Sequence, residues 1–164
     1  AVDAVGRHRS AESLCGERLR YQGLLRAHEG CVNAVAVSAD CTLLASGGDD
    51  TRVLLWDIEA SMAADFPKPH QFNAAGCFTG HRSNIFCLRW STDGSKIVSS
   101  ANDCLIFVYD VANPEQPGRV ISEHSAAVHR VAIMGQGPAN VLVSASEDHS
   151  IGVYDLRQRV ALQQ

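Results

Sequence analysis

One constellation of residue types returns three times along this 164-residue chain, and its internal spacing hardly changes. Each copy opens on a His, runs through an alternating apolar stretch to a Ser, meets an Asp four residues on, and closes on an aromatic-Asp pair. The copies are His28, Ser46, Asp50 and Trp56-Asp57; His81, Ser99, Asp103 and Tyr109-Asp110; and His124, Ser144, Asp148 and Tyr154-Asp155. In all three the Asp lies six residues, and the Ser ten, before the aromatic, while the aromatic-Asp pairs recur after 53 and then 45 residues. A unit of this length buries its apolar face only by stacking on neighbouring units, so the chain must fold as a repeat architecture.

Within a copy the periodicity is that of short strands. Val32 to Val37, Ile85 to Trp90 and Val128 to Ile133 alternate with period two, which predicts a strand with one buried face. Leu43 to Ser46, Lys96 to Ser99 and Val141 to Ser144 form a second set, and Val53 to Trp56, Ile106 to Tyr109 and Ile151 to Tyr154 a third. Turn residues separate them, as at Thr92-Asp93-Gly94-Ser95 and Gly47-Gly48-Asp49-Asp50. A fourth strand is expected just before each His, as in 22–27 and 119–122. The link from Ala60 to Gly76 holds Pro67 and Pro69 and reads as an exposed loop. Residues 1–20 lack the pattern and read as an irregular arm or a short helix.

A four-stranded unit of this length ending in an aromatic-Asp pair resembles the repeat of the WD40 family. The resemblance covers residues 24 to 157 and implies an all-β fold, a β-propeller of four-stranded antiparallel blades. The repeats would run about 24–59, 77–112 and 120–157, with 21–164 forming one partial propeller. Three blades are fewer than the roughly four to eight that close a ring, so the chain is expected to be the N-terminal part of a longer propeller.

Recurring Ser, His and Asp also invite a hydrolase reading, since they are the parts of a catalytic triad. The repeat argues against it. Catalysis needs one active constellation and here there are three equivalent ones, with no G-x-S-x-G elbow. By resemblance to the WD40 family, His28/Ser46/Asp50/Trp56, His81/Ser99/Asp103/Tyr109 and His124/Ser144/Asp148/Tyr154 would each form a buried structural network. Tyr for Trp at 109 and 154 departs from the strict motif, though a phenol hydroxyl retains the capacity to hydrogen-bond.

Composition excludes other classes. The formal charge of −4 leaves no global basic footprint for nucleic acid, and no apolar run approaches the roughly 18 residues of a membrane span. The six cysteines contain no C-x-x-C pair and the seven histidines have no zinc-ligand spacing, so neither a disulfide framework nor a metal is expected. No cofactor or small-molecule substrate is implied, and a cytoplasmic or nuclear protein is expected.

The end of the third copy is more specific. Tyr154-Asp155-Leu156-Arg157 is similar to the W-D-x-R ending of WD40 substrate receptors of the type-four cullin-RING ubiquitin ligases, whereas Asp57-Ile58-Glu59 and Asp110-Val111-Ala112 lack the Arg. The stretches 28–34, 47–56 and 81–88 also resemble the first blades of the DDB- and cullin-associated factors, one member more than the others. That resemblance implies a non-catalytic receptor with two protein partners, the ligase adaptor and a target. Asp155 and Arg157 would meet the adaptor, while Cys31, Asn33, Asn84, Phe86, Ala127 and His129, where the first strands start, would face the target. A plain scaffold for some other complex is the alternative.

Overall fold

A computed structural model describes residues 24–63, 74–134 and 141–157. The first sheet holds β1 (Val32–Val37), β2 (Leu43–Gly48) and β3 (Val53–Asp57), followed in the chain by the short helix α1 (Ile58–Ala63). Its fourth strand is β4 (Gly76–Phe78), giving the order β1-β2-β3-β4. The second sheet has β5 (Ile85–Trp90), β6 (Lys96–Ala101), β7 (Ile106–Asp110) and β8 (Arg119–Ile121) in the same order. β9 (Val128–Met134), β10 (Val141–Ser146) and β11 (Ile151–Asp155) make up the third, and every pairing is antiparallel. The three sheets are blades of the propeller type.

Two expectations need correction. The strand before a His does not join the blade of that His but closes the preceding one: β4 pairs with β3 through Val53↔Phe78, and β8 with β7 through Ile106↔Ile121. Sequence repeat and blade are therefore out of step by one strand. For the same reason the strand expected over 22–27 is missing where it is described, since Leu24 to Ala27 are not in a sheet. An outer strand needs the third strand of a preceding blade beside it, and no described strand fills that place. The second correction concerns the loop expected from Ala60, which starts instead inside α1, its first turn capped by Asp57 Oδ1 accepting from the Ala60 amide at 2.8 Å. The arm expected over residues 1–20 lies outside the described residues.

The core is split between the blades. Ala45, Val53, Leu55 and Phe78 of blade one meet Ile85, Leu88, Ile97 and Phe107 of blade two in one buried cluster. Cys87, Val98, Ile106, Val108 and Ile121 of blade two meet Val128, Val131 and Leu142 of blade three in the other. Period-two alternation produces this directly, because each strand sends alternate side chains to opposite neighbours. Aromatic rings bridge blades one and two: Tyr109 of blade two stacks between Phe78 of blade one and Phe107 of its own blade, with centroids 4.9 and 5.6 Å away.

The inner strands share an irregularity. β1 pairs Val32 with Gly48 and Ala34 with Gly47, β5 pairs Ile85 with Ala101 and Cys87 with Ser100, and β9 pairs Val128 with Ser146 and Arg130 with Ala145. Each strand thus carries one extra residue, at Asn33, Phe86 and His129. A β-bulge re-aims the side chain it holds, and these three bulges fall at equivalent positions.

Candidate functional site

Within each blade the repeated residues meet. His28 Nδ1 lies 2.9 Å from both Asp50 carboxylate oxygens and Nε2 lies 2.7 Å from Ser46 Oγ. Blade two repeats this with His81 2.9 Å from Asp103 and 2.7 Å from Ser99, and blade three with His124 2.7 Å from Asp148 and 2.6 Å from Ser144. Each carboxylate also accepts the backbone amide following the His, from Glu29, Arg82 and Ser125. In blade one the bond directions are fixed by chemistry. The Trp56 indole N–H can only donate, and does so to Ser46 Oγ at 2.8 Å. The Ser46 hydroxyl is then free to donate to His28 Nε2, and His28 Nδ1–H donates to Asp50.

The aromatic partner does not complete the other two networks in the same way. Tyr109 Oη is buried with no hydrogen-bond partner, and burial pushes its pKa up to about 12, the nearby Ser99 hydroxyl opposing that only in part. The capacity of the phenol to hydrogen-bond therefore goes unused at Tyr109. Tyr154 folds back over Gly152, where a Cβ would collide with its hydroxyl and with Ser144 Oγ. Gly stands there because the ring needs the space.

Distances alone would suit a Ser-His-Asp triad. Access decides otherwise, because Ser46, Ser99 and Ser144 are only 4%, 0% and 1% exposed, and no substrate carbonyl reaches such a hydroxyl. The networks instead satisfy buried polar groups. Burial alone would raise the Asp50 carboxyl, but the bonds from His28, the Glu29 amide and Arg52 outweigh it and hold the group at about 2. Burial lowers the His81 pKa below 6.5, partly opposed by Asp103.

The bulged residues converge at one end of the blades. Cys31, Asn33, Asp49, Asn84, Phe86, His129 and Arg130 line an open cavity of about 550 Å³. By register, positions 31 and 84 are equivalent, as are 33, 86 and 129. Five of the six residues expected at this face line the cavity. Ala127 does not: it is 5% exposed, and its carbonyl accepts the Glu147 amide. Phe86 and His129 stack with centroids 5.1 Å apart and 9° between planes.

Sequence reasoning missed Asp49, Arg130 and Glu147. A signal existed, since Asp49, Asn102 and Glu147 each precede the network Asp of their copy. These positions face the bulges: Asn33 Nδ2 donates to Asp49 Oδ1 at 2.7 Å, and His129 Nε2 donates to Glu147 Oε1 at 2.7 Å. Phe86 offers no such bond, and Asn102 turns to Ser83 Oγ. The His, Ser and Asp of the network keep their types from blade to blade while the cavity positions change theirs.

At the opposite ends of the third strands the aromatic-Asp pairs diverge in use. Asp57 caps α1 and Asp110 Oδ1 accepts the Ala112 amide, whereas Asp155 accepts three bonds from Arg157: its amide at 3.0 Å, Nε at 2.9 Å and Nη2 at 2.6 Å. Those bonds hold the half-buried Asp155 carboxyl near 2 and raise the Arg157 pKa. The fork is held in one orientation, and Arg157 stays 54% exposed at its side chain.

Comparison with known proteins fits this geometry. The WD40 family profile, described as "WD domain, G-beta repeat", matches residues 19–57, 73–110 and 115–155. The chain is 34% identical over 146 residues to DDB1- and CUL4-associated factor 5 of Homo sapiens, covering 88% of this chain and 14% of that protein. It is 29% identical to the U5 small nuclear ribonucleoprotein 40 kDa protein of Dictyostelium discoideum, over 82% of this chain and 35% of that one. A crystal structure of RRP9 WD40 repeats superposes with a TM-score of 0.68 at 22% identity, covering 81% of this chain and 38% of the other. The chain thus spans well under half the length of each.

Proposed function

This chain belongs to the WD40 family, and from that premise we propose that it acts as the substrate receptor of a cullin-RING ubiquitin ligase, as part of a longer propeller. The similarity to DDB1- and CUL4-associated factor 5 carries this reading. The rim geometry supports it: Asp155 orients the Arg157 guanidinium, whose free N–H groups offer a charge-assisted fork to an adaptor. The cavity lined by Asn33, Phe86 and His129 supplies an aromatic anchor and polar groups for a target protein.

The mechanism is proximity. One surface holds the adaptor and another the target, so a target lysine meets the charged conjugating enzyme at a high effective concentration. No bond is made or broken by this chain. A second reading, a scaffold of another multiprotein complex, is favoured by the similarity to the U5 40 kDa protein.

Capture of the adaptor from cells by the tagged protein, wild type beside Arg157→Ala, separates the two. A receptor retains the adaptor and loses most of it on the substitution at unchanged expression. Failure of both forms to capture the adaptor leaves the scaffold.

A further inference from the structure

The rim of blade three carries a cation that the Asp155–Arg157 pair does not account for. Arg119, on β8 of blade two, reaches across the blade boundary and donates from Nη1 to the Leu156 carbonyl at 3.3 Å. Leu156 stands between Asp155 and Arg157 in the chain, and its side chain packs on the cluster that joins blades two and three. The Arg119 guanidinium is thereby placed at the turn that presents Arg157.

Two other cations of this end have carboxylate partners. Arg157 pairs with Asp155, and Lys96 lies 3.7 Å from Asp110 at the corresponding end of blade two. Arg119 forms no ion pair with any described carboxylate. A guanidinium has five N–H donors in a planar fork, and the Leu156 carbonyl occupies only one. The turn therefore sets two guanidiniums beside the Asp155 carboxylate, with donors to spare, and their complement is a further carboxylate.

We propose that Arg119 is the second arginine of the rim docking surface, and that an acidic segment of the partner protein lies across Arg119 and Arg157. This rests on the receptor reading and adds to it the chemistry of the partner. Arg119 has two separable roles: its hydrogen bond holds the turn, and its charge attracts the partner.

The test is a titration of the purified adaptor against wild type, Arg119→Gln, Arg119→Lys and Arg157→Ala, at about 0.15 M and about 0.5 M salt, where screening shortens from about 8 Å to about 4 Å. Gln retains an N–H for the Leu156 carbonyl but no charge, whereas Lys retains the charge. The expected result is a roughly tenfold weaker affinity for Arg119→Gln at low salt, a gap that closes at high salt, with Arg119→Lys within about threefold of wild type. Arg119→Gln binding as wild type does, while Arg157→Ala fails, overturns the proposal and leaves the receptor reading standing. An equal loss for Arg119→Gln at both salts also overturns it, because shape rather than charge is then read. Adaptor binding that ignores both arginines overturns the proposal too while the receptor reading stands, whereas a wild type that does not bind the adaptor removes both together.

Discussion

Trp56 and Tyr109 hold the same place in successive blades, yet only Trp56 hands a proton donor to its serine. Their variants should therefore respond in opposite senses. Trp56→Phe leaves the buried Ser46 oxygen short of a donor and opens space, and should cost about 2–4 kcal/mol in urea unfolding. Tyr109→Phe removes a hydroxyl that is buried without a partner, and should be neutral or stabilise by up to about 1 kcal/mol. A clear loss for Tyr109→Phe would show that the hydroxyl is bonded after all. The same scale explains the diversity of the cavity. Asn33, Phe86 and His129 stand at bulges, where the ladder does not dictate the side chain, so polar, apolar and titratable residues alternate on one frame.

At the level of strands, what a face packs against decides what its residues are worth. Ile106 and Ile151 open the third strands of blades two and three in the same register, but Ile106 is 0% exposed and Ile151 is 72% exposed. Val108 and Val153 repeat the contrast at 7% and 69%. Ile106→Ala should cost about 2–4 kcal/mol in this chain, whereas Ile151→Ala should stay within about 0.5 kcal/mol, both read from the urea midpoint. If Ile151→Ala proves as costly in a longer form of the protein, another blade covers that face there. The apolar sequence of β11 anticipates such a cover.

The described residues form a row of three blades in which the middle one takes part in both buried clusters. Stability in repeat proteins is a sum of units and interfaces, so weakening blade two weakens everything attached to it. Acid should act there. The folded His81 pKa lies below 6.5, so as pH falls past 6.5 the unfolded chain takes up a proton that the folded chain refuses. The stabilisation is full above that value and declines as pH drops towards the folded pKa. Asp50 adds a further loss between 3.8 and about 2, as its hydrogen-bonded carboxylate resists protonation. Thermal midpoints measured from pH 8 to 5 should fall below about 6.5, and His81→Gln should flatten that part of the curve. A wild-type midpoint constant across the range would contradict the assignment.

The repeat spacing and the three strand patterns were legible in the sequence, because periodicity is a local property of the chain, while the grouping of His, Ser and Asp into one network per copy came from the resemblance to the WD40 repeat. Five of the seven cavity-lining residues were legible too, from strand register together with the resemblance. Other features depended on groups far apart in sequence. Which blade a strand joins, whether Tyr109 finds a partner, why Ala127 is buried and why Arg119 reaches Leu156 are settled by atoms that meet only after the blades stack. The sequence chose the unit, and packing between units decided which side chains are left facing a partner.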